Sequence, residues 1–140
     1  MMPLLRLSYK EPRYLQTIIK RWYKRLRLSG WTVDTEMVTE DDMENACDDG
    51  TVMAEVRRVI PHRRATIRFN AELPKEDAEW FVIHELRHLH YSEIEQVFHQ
   101  AWNEMSGKAT FLTAHKMLMD KLEELCERDA AILLELSRRR

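Results

Sequence analysis

Trp80–Phe98 reads WFVIHELRHLHYSEIEQVF and sets three histidines and a glutamate within the seven residues His84–His90 of an otherwise apolar segment. From Ala78 to Leu89 the apolar residues Phe81, Val82, Ile83, Leu86 and Leu89 point in several directions on a helix, so the segment predicts a central helix buried on most of its surface. On such a helix residues four apart stand one above the other, and His84 and His88 can aim imidazole nitrogens at one ion about 2 Å away. Glu85 follows the first of these histidines, placing its carboxylate beside the ion, where it can take a proton from metal-bound water rather than coordinate. Without a shared ion, two histidines and a glutamate in so apolar a segment would each incur a desolvation cost.

Working outward, Pro74 opens this helix, with Glu76 and Asp77 in the first turn, where acids complement the helix dipole. Ser92 and Glu95 form an S-x-x-E capping box, which predicts a new helix from Glu93 that Gly107 stops. Residues 108–140 lack Gly and Pro and carry Leu118, Leu122, Leu125, Cys126, Ala130, Leu133 and Leu136 at helical spacing, as one long helix or two short ones.

Upstream, Leu15, Ile18, Ile19, Trp22 and Leu26 form the stripe of an amphipathic helix between Pro12 and Gly30. WTVDTEMV (31–38) alternates as a half-buried strand, and the acids Asp41, Asp42, Asp48 and Asp49 mark a turn-rich loop or short helix. TVMAEVRRVI (51–60) and RRATIRFNAEL (63–73) predict an antiparallel pair turning at Pro61 and His62, with Ala65, Ile67 and Phe69 on one face.

The 140 residues are enough for one core, and the expected unit is a single domain over 1–140. With 22 basic and 24 acidic residues, the net charge of −2 gives no global attraction to nucleic acid or anionic lipid. Charge is nevertheless uneven: residues 1–30 are basic and residues 31–60 acidic. Lys20, Arg21, Lys24, Arg25 and Arg27 lie mostly off the apolar stripe of the first helix and read as a solvated face, and no nucleic-acid reader motif accompanies them. No apolar run reaches the roughly 18–20 residues of a membrane span. Cys47 and Cys126 lack metal-knuckle spacing and no export signal is evident, so a soluble protein of the reducing cytoplasm is expected.

VIHELRHLHY, preceded by ATIRFN and followed by a glutamate-bearing helix, resembles the zincin metallopeptidases, especially the small gluzincin-like domains found in phage and mobile-element proteins. The resemblance spans residues 31–136 in order of elements, and its specific part is the H-E-x-x-H core. It implies a small sheet packed on the active-site helix and one zinc ion held by the two histidines and a downstream glutamate. It further implies that the strand carrying Ile67 and Phe69 lies at the cleft edge and pairs with extended substrate. The metzincin extension would need Gly at 91 and His at 94, where this chain has Tyr91 and Ile94.

For the third ligand, KLEELCERDAAILLEL offers Glu123, Glu124 and Glu127. Glu123 shares a helix face with Cys126, Ala130 and Leu133 and is the first choice, Glu127 the second, while Glu124 turns away. Two histidines and one glutamate leave a position for water, a recurrent catalytic set. His90 and His99 are expected to be exposed rather than ligating. Asp129 is a candidate to orient a ligating histidine, and Tyr91 or His115 to stabilise an oxyanion.

The expected fold is therefore α+β and zincin-like: an N-terminal helix, a mostly antiparallel sheet of about three strands, the central H-E-x-x-H helix and C-terminal helices. The expected function is zinc-dependent hydrolysis of a peptide or protein substrate, with His84, His88 and Glu123 as ligands and Glu85 as general base. The alternative is a zincin-fold interaction module with little or no catalysis that uses the basic first helix. Nucleic acid and membrane are not expected partners, and oligomeric state is left open.

Overall fold

A computed structural model describes residues 4–43, 52–105 and 107–139; Cys47, Asp48 and Asp49 lie outside them. Among the described residues three α-helices and a mixed four-stranded sheet make an α+β architecture. In chain order the elements are β1 (Leu5–Arg6), α1 (Arg13–Arg25), β2 (Thr32–Val38), β3 (Ala54–Val59), β4 (Arg64–Asn70), α2 (Ala78–Met105) and α3 (Lys108–Arg138).

The sheet order is β1-β2-β4-β3, and only the β3–β4 pair is antiparallel; β1 and β4 both run parallel to β2. The expectation of a mostly antiparallel, three-stranded sheet is thus corrected. The two residues of β1 are too few to alternate, and they become a strand only through pairing, Leu5 with Val33 and Arg6 with Asp34. The β3–β4 hairpin forms as expected through a 3-10 turn at Ile60–His62, with Arg63 in the left-handed region at φ 49°. It docks on β2 through β4, so the strand carrying Ile67 and Phe69 has neighbours on both sides and cannot be the substrate edge. That edge is β3.

Alternation decides which face meets the helices. Val33, Ala65, Ile67 and Phe69 are buried in one cluster with Val82, Ile83, Leu86 and Leu89 of α2. Truncating a fully buried residue such as Leu86 would cost about 2–5 kcal/mol. On the opposite face Arg68, at the centre of β4, reaches Glu55 of β3 at 3.1 Å and Glu36 of β2 at 3.4 Å, which explains a guanidinium inside a sheet.

Helix α1 buries Leu15, Ile19 and Trp22, and Trp22 Nε1 donates to Glu79 Oε1 at 2.8 Å, fastening it to α2. It ends at Arg25, before Gly30. Arg27 takes the left-handed conformation at φ 55°, its N–H reaches the Lys24 carbonyl at 3.0 Å, and the Leu28 N–H reaches that of Tyr23 at 3.1 Å. This is a Schellman stop built with arginine where glycine is the usual residue.

Helix α2 does not break at Ser92. The Ser92 hydroxyl donates to the His88 carbonyl at 2.9 Å, a bond within the helix, and accepts from Arg58 Nη1 at 3.0 Å. Glu95, the other half of the expected capping box, pairs with Arg58 at 2.8 Å. Both side chains that read as a cap are used laterally, and the helix continues to Met105. A single helix, α3, runs antiparallel to it.

Candidate metal centre

Burial of α2 along one flank of the sheet fixes the rotation of the helix and brings His84 and His88 to the side that faces α3. Their rings lie 5.1 Å apart, and Trp80, one turn earlier, packs against His84 at 4.9 Å. From α3, Glu123 reaches both: Oε1 lies 2.7 Å from His84 Nε2 and Oε2 3.0 Å from His88 Nε2. The donor atoms of the three residues all fall within 4.8 Å of one another. Glu123 is thus the glutamate brought to the histidines. Glu124 instead pairs with Lys121 and Arg128, and the exposed Glu127 contributes only its charge nearby. Buried Cys126 and Ala130 sit on the same face of α3 as Glu123, as the helical spacing requires.

Two Nε2 atoms and a carboxylate are a suitable donor set for a transition-metal dication. The two imidazoles compete for one carboxylate, while the buried His84 Nδ1 has no hydrogen-bond partner among the described residues. The side chain of Glu123 is half exposed, giving it the freedom to move back by the few tenths of an ångström that an ion between the three would require. The residues present therefore fit a bound metal.

Electrostatics agree with the geometry. Burial works against protonation of His84, but the Glu123 hydrogen bond and the charges of Glu85, Glu123 and Glu127 outweigh it and raise its pKa above 6.5. Hydrogen bonds from His84 and His88 hold the Glu123 carboxyl far below its ordinary value. Glu85 is buried, and desolvation raises its pKa, opposed by the two neighbouring histidines. It lines an open cleft of about 370 Å³ together with His88 and Glu123, with Met119 of α3, and with Val52, Ala54, Glu55, Val56 and Arg58 in and just before β3.

Four expectations change. His90 is half-buried rather than exposed: Nε2 donates to the Leu26 carbonyl at 2.8 Å, and Nδ1 accepts from Arg87 Nη1 at 2.8 Å. An acceptor on one side and a donor on the other fix the neutral Nε2–H tautomer, and burial lowers the pKa. Asp129 does not orient a ligating histidine; its Oδ2 accepts from Arg87 Nε at 2.9 Å, Arg87 Nη2 at 2.5 Å and the Tyr91 hydroxyl at 2.6 Å. That bond commits Tyr91, and His115 stacks on Phe111 and packs against His99, so neither lines the cleft. His99 is not on a separate helix but lies farther along α2.

Sequence reasoning missed Arg58, which donates to Ser92 and pairs with Glu95 beneath the cleft; its only signal was its parity with Val56 on β3. The search of known proteins found no matching family model, curated protein or solved structure. Among the described residues no helix is long and apolar enough to cross a membrane.

Proposed function

We propose that this chain is a zinc-dependent peptidase with a zincin-like site. The observation that carries the reading is the convergence of Glu123 on His84 and His88, beside a buried Glu85 that opens onto a cleft bordered by β3, the last strand of the sheet among the described residues. A bound zinc ion would supply Lewis acidity, polarising a peptide carbonyl and making water nucleophilic near neutral pH. His84, His88 and Glu123 would hold it. Glu85 accepts a proton from water; the water oxygen bonds to the carbonyl carbon, the C–N bond breaks, and the proton leaves on the amine.

An extended substrate adds to the outer edge of β3, where main-chain pairing aligns it along the cleft and the Ala54, Val56 and Arg58 positions meet its side chains. The alternative, an interaction module using the basic first helix, has less support because two of that helix's arginines make contacts within the chain. Arg21 pairs with Glu79, and Arg25 donates to Ser137 and lies over Trp22.

The test combines metal analysis with one substitution. Purified protein should carry stoichiometric zinc at this site and cleave members of a peptide library, and Glu85→Gln should abolish cleavage with zinc retained. Absence of zinc, or full cleavage by E85Q, would end this reading.

A further inference from the structure

Three turns beyond His84 and His88, α2 and α3 bring together a second group of donors. Glu95 and His99 are four apart on α2, His115 faces them from α3, and their donor atoms all lie within 4.8 Å of one another. The geometry points to a second divalent-metal site here, formed by Glu95, His99 and His115, independent of the proposed peptidase centre. Two imidazoles and a carboxylate suit zinc and its neighbours Co²⁺, Ni²⁺ and Cu²⁺ rather than calcium or magnesium.

Each donor is oriented by something other than chance proximity. Glu95 is buried, and Arg58 at 2.8 Å from Oε2 holds its carboxylate, the kind of outer contact that fixes a ligating carboxylate. The His99 and His115 rings lie 4.7 Å apart, both packed on Phe111 at 5.4 and 5.6 Å, and His99 also packs on Phe98. Neither imidazole has a hydrogen-bond partner among the described residues. Both residues are half-buried, and their ring nitrogens are left open to an incoming ligand.

The surroundings give the site a purpose. Among the described residues, buried apolar side chains on α2 stop at Leu89 and on α3 begin at Leu122. Between those limits Ile94, Val97, Leu112 and Met117 are exposed, and this end of the helical hairpin is held by a half-buried aromatic cluster of Phe98, Trp102 and Phe111 rather than by fully buried aliphatic side chains. A metal ion joining α2 to α3 would add a cross-link to that thin aromatic contact.

Metal-free protein titrated with Co²⁺, followed by its visible absorption, and with Zn²⁺, followed by calorimetry, tests this. Wild type should bind two equivalents, H88Q one, H115Q one, and H88Q/H115Q none. Amide hydrogen exchange gives a readout that needs no variant at the new site: zinc should slow exchange across residues 93–119 of H88Q by at least tenfold. A zinc stoichiometry in H115Q equal to wild type, or unchanged exchange over 93–119 in H88Q, would overturn the proposal.

Discussion

Replacing Asp129 with alanine should destabilise the protein and loosen the proposed metal centre together. Asp129 Oδ2 receives two bonds from the Arg87 guanidinium and one from the Tyr91 hydroxyl, and about a fifth of each charged side chain is exposed. Removing one partner of a fully buried ion pair costs about 3–5 kcal/mol, because the other charge is left uncompensated; with this exposure the expected loss is about 2–3 kcal/mol. An unfolding entropy of about 2.1 cal/mol/K per residue converts this, for 140 residues, to a fall in Tm of roughly 7–10 °C. The metal-free protein should be used, by calorimetry and urea titration, with R87M and R87M/D129A completing the cycle.

The double variant should recover about 2 kcal/mol relative to the sum of the single ones. Burial raises the Asp129 pKa, but the Tyr91 and Arg87 bonds outweigh it and hold the carboxyl below its ordinary 3.8. Its contribution is therefore complete above about pH 3.8 and disappears as pH falls through the depressed folded value, so wild type and D129A should converge in acid. Arg87 adjoins His88, and Asp129 lies six residues after Glu123 on α3, so zinc affinity in D129A should also drop about tenfold. A loss under 1 kcal/mol, or an additive cycle, would refute the claim that this pair sets how α3 sits on α2.

Three further outcomes are expected. E123A should weaken zinc binding on the order of 100-fold in a competition titration and E127A by less than about threefold; equal losses would remove the distinction between them. Both Glu11 carboxylate oxygens are buried, and burial, opposed by contacts with the Thr35 side chain and the Ser8 backbone, raises the pKa above 4.5. Its folded-state advantage holds below pH 4.5 and is lost as pH rises, so E11Q should raise Tm by a few degrees at pH 7 and leave it unchanged near pH 3. Burial and the Glu123 charge push the Cys126 thiol up to about 12, so mass mapping after iodoacetamide at pH 8 should find it unmodified in native protein and alkylated in urea.

Helical periodicity made His84, Glu85 and His88 readable as one face, and the face shared by Glu123, Cys126 and Ala130 picked out the glutamate that the structure brings to them. Local pattern also gave the β3–β4 hairpin. It failed where a side chain's partner lies far along the chain. Ser92 and Glu95 look like a cap until Arg58, more than 30 residues earlier, takes both. Alternation places Ile67 and Phe69 on a face but carries no information on strand order, so nothing in the residues could correct the edge position that the zincin resemblance implied for β4, which proved interior. His90 looked exposed because nothing nearby announces the Leu26 carbonyl that it caps.

The uninterrupted course of α2 has a mechanical consequence. At 28 residues it is about 42 Å long, and the same rod carries His84 near one end and His99 toward the other. A helix without a joint transmits a tilt along its length, so whatever grips the far end of the hairpin also sets the aim of the imidazoles in the cleft. Ser92, where a hinge might have been read, is instead bolted by Arg58 to the strand that forms the cleft wall.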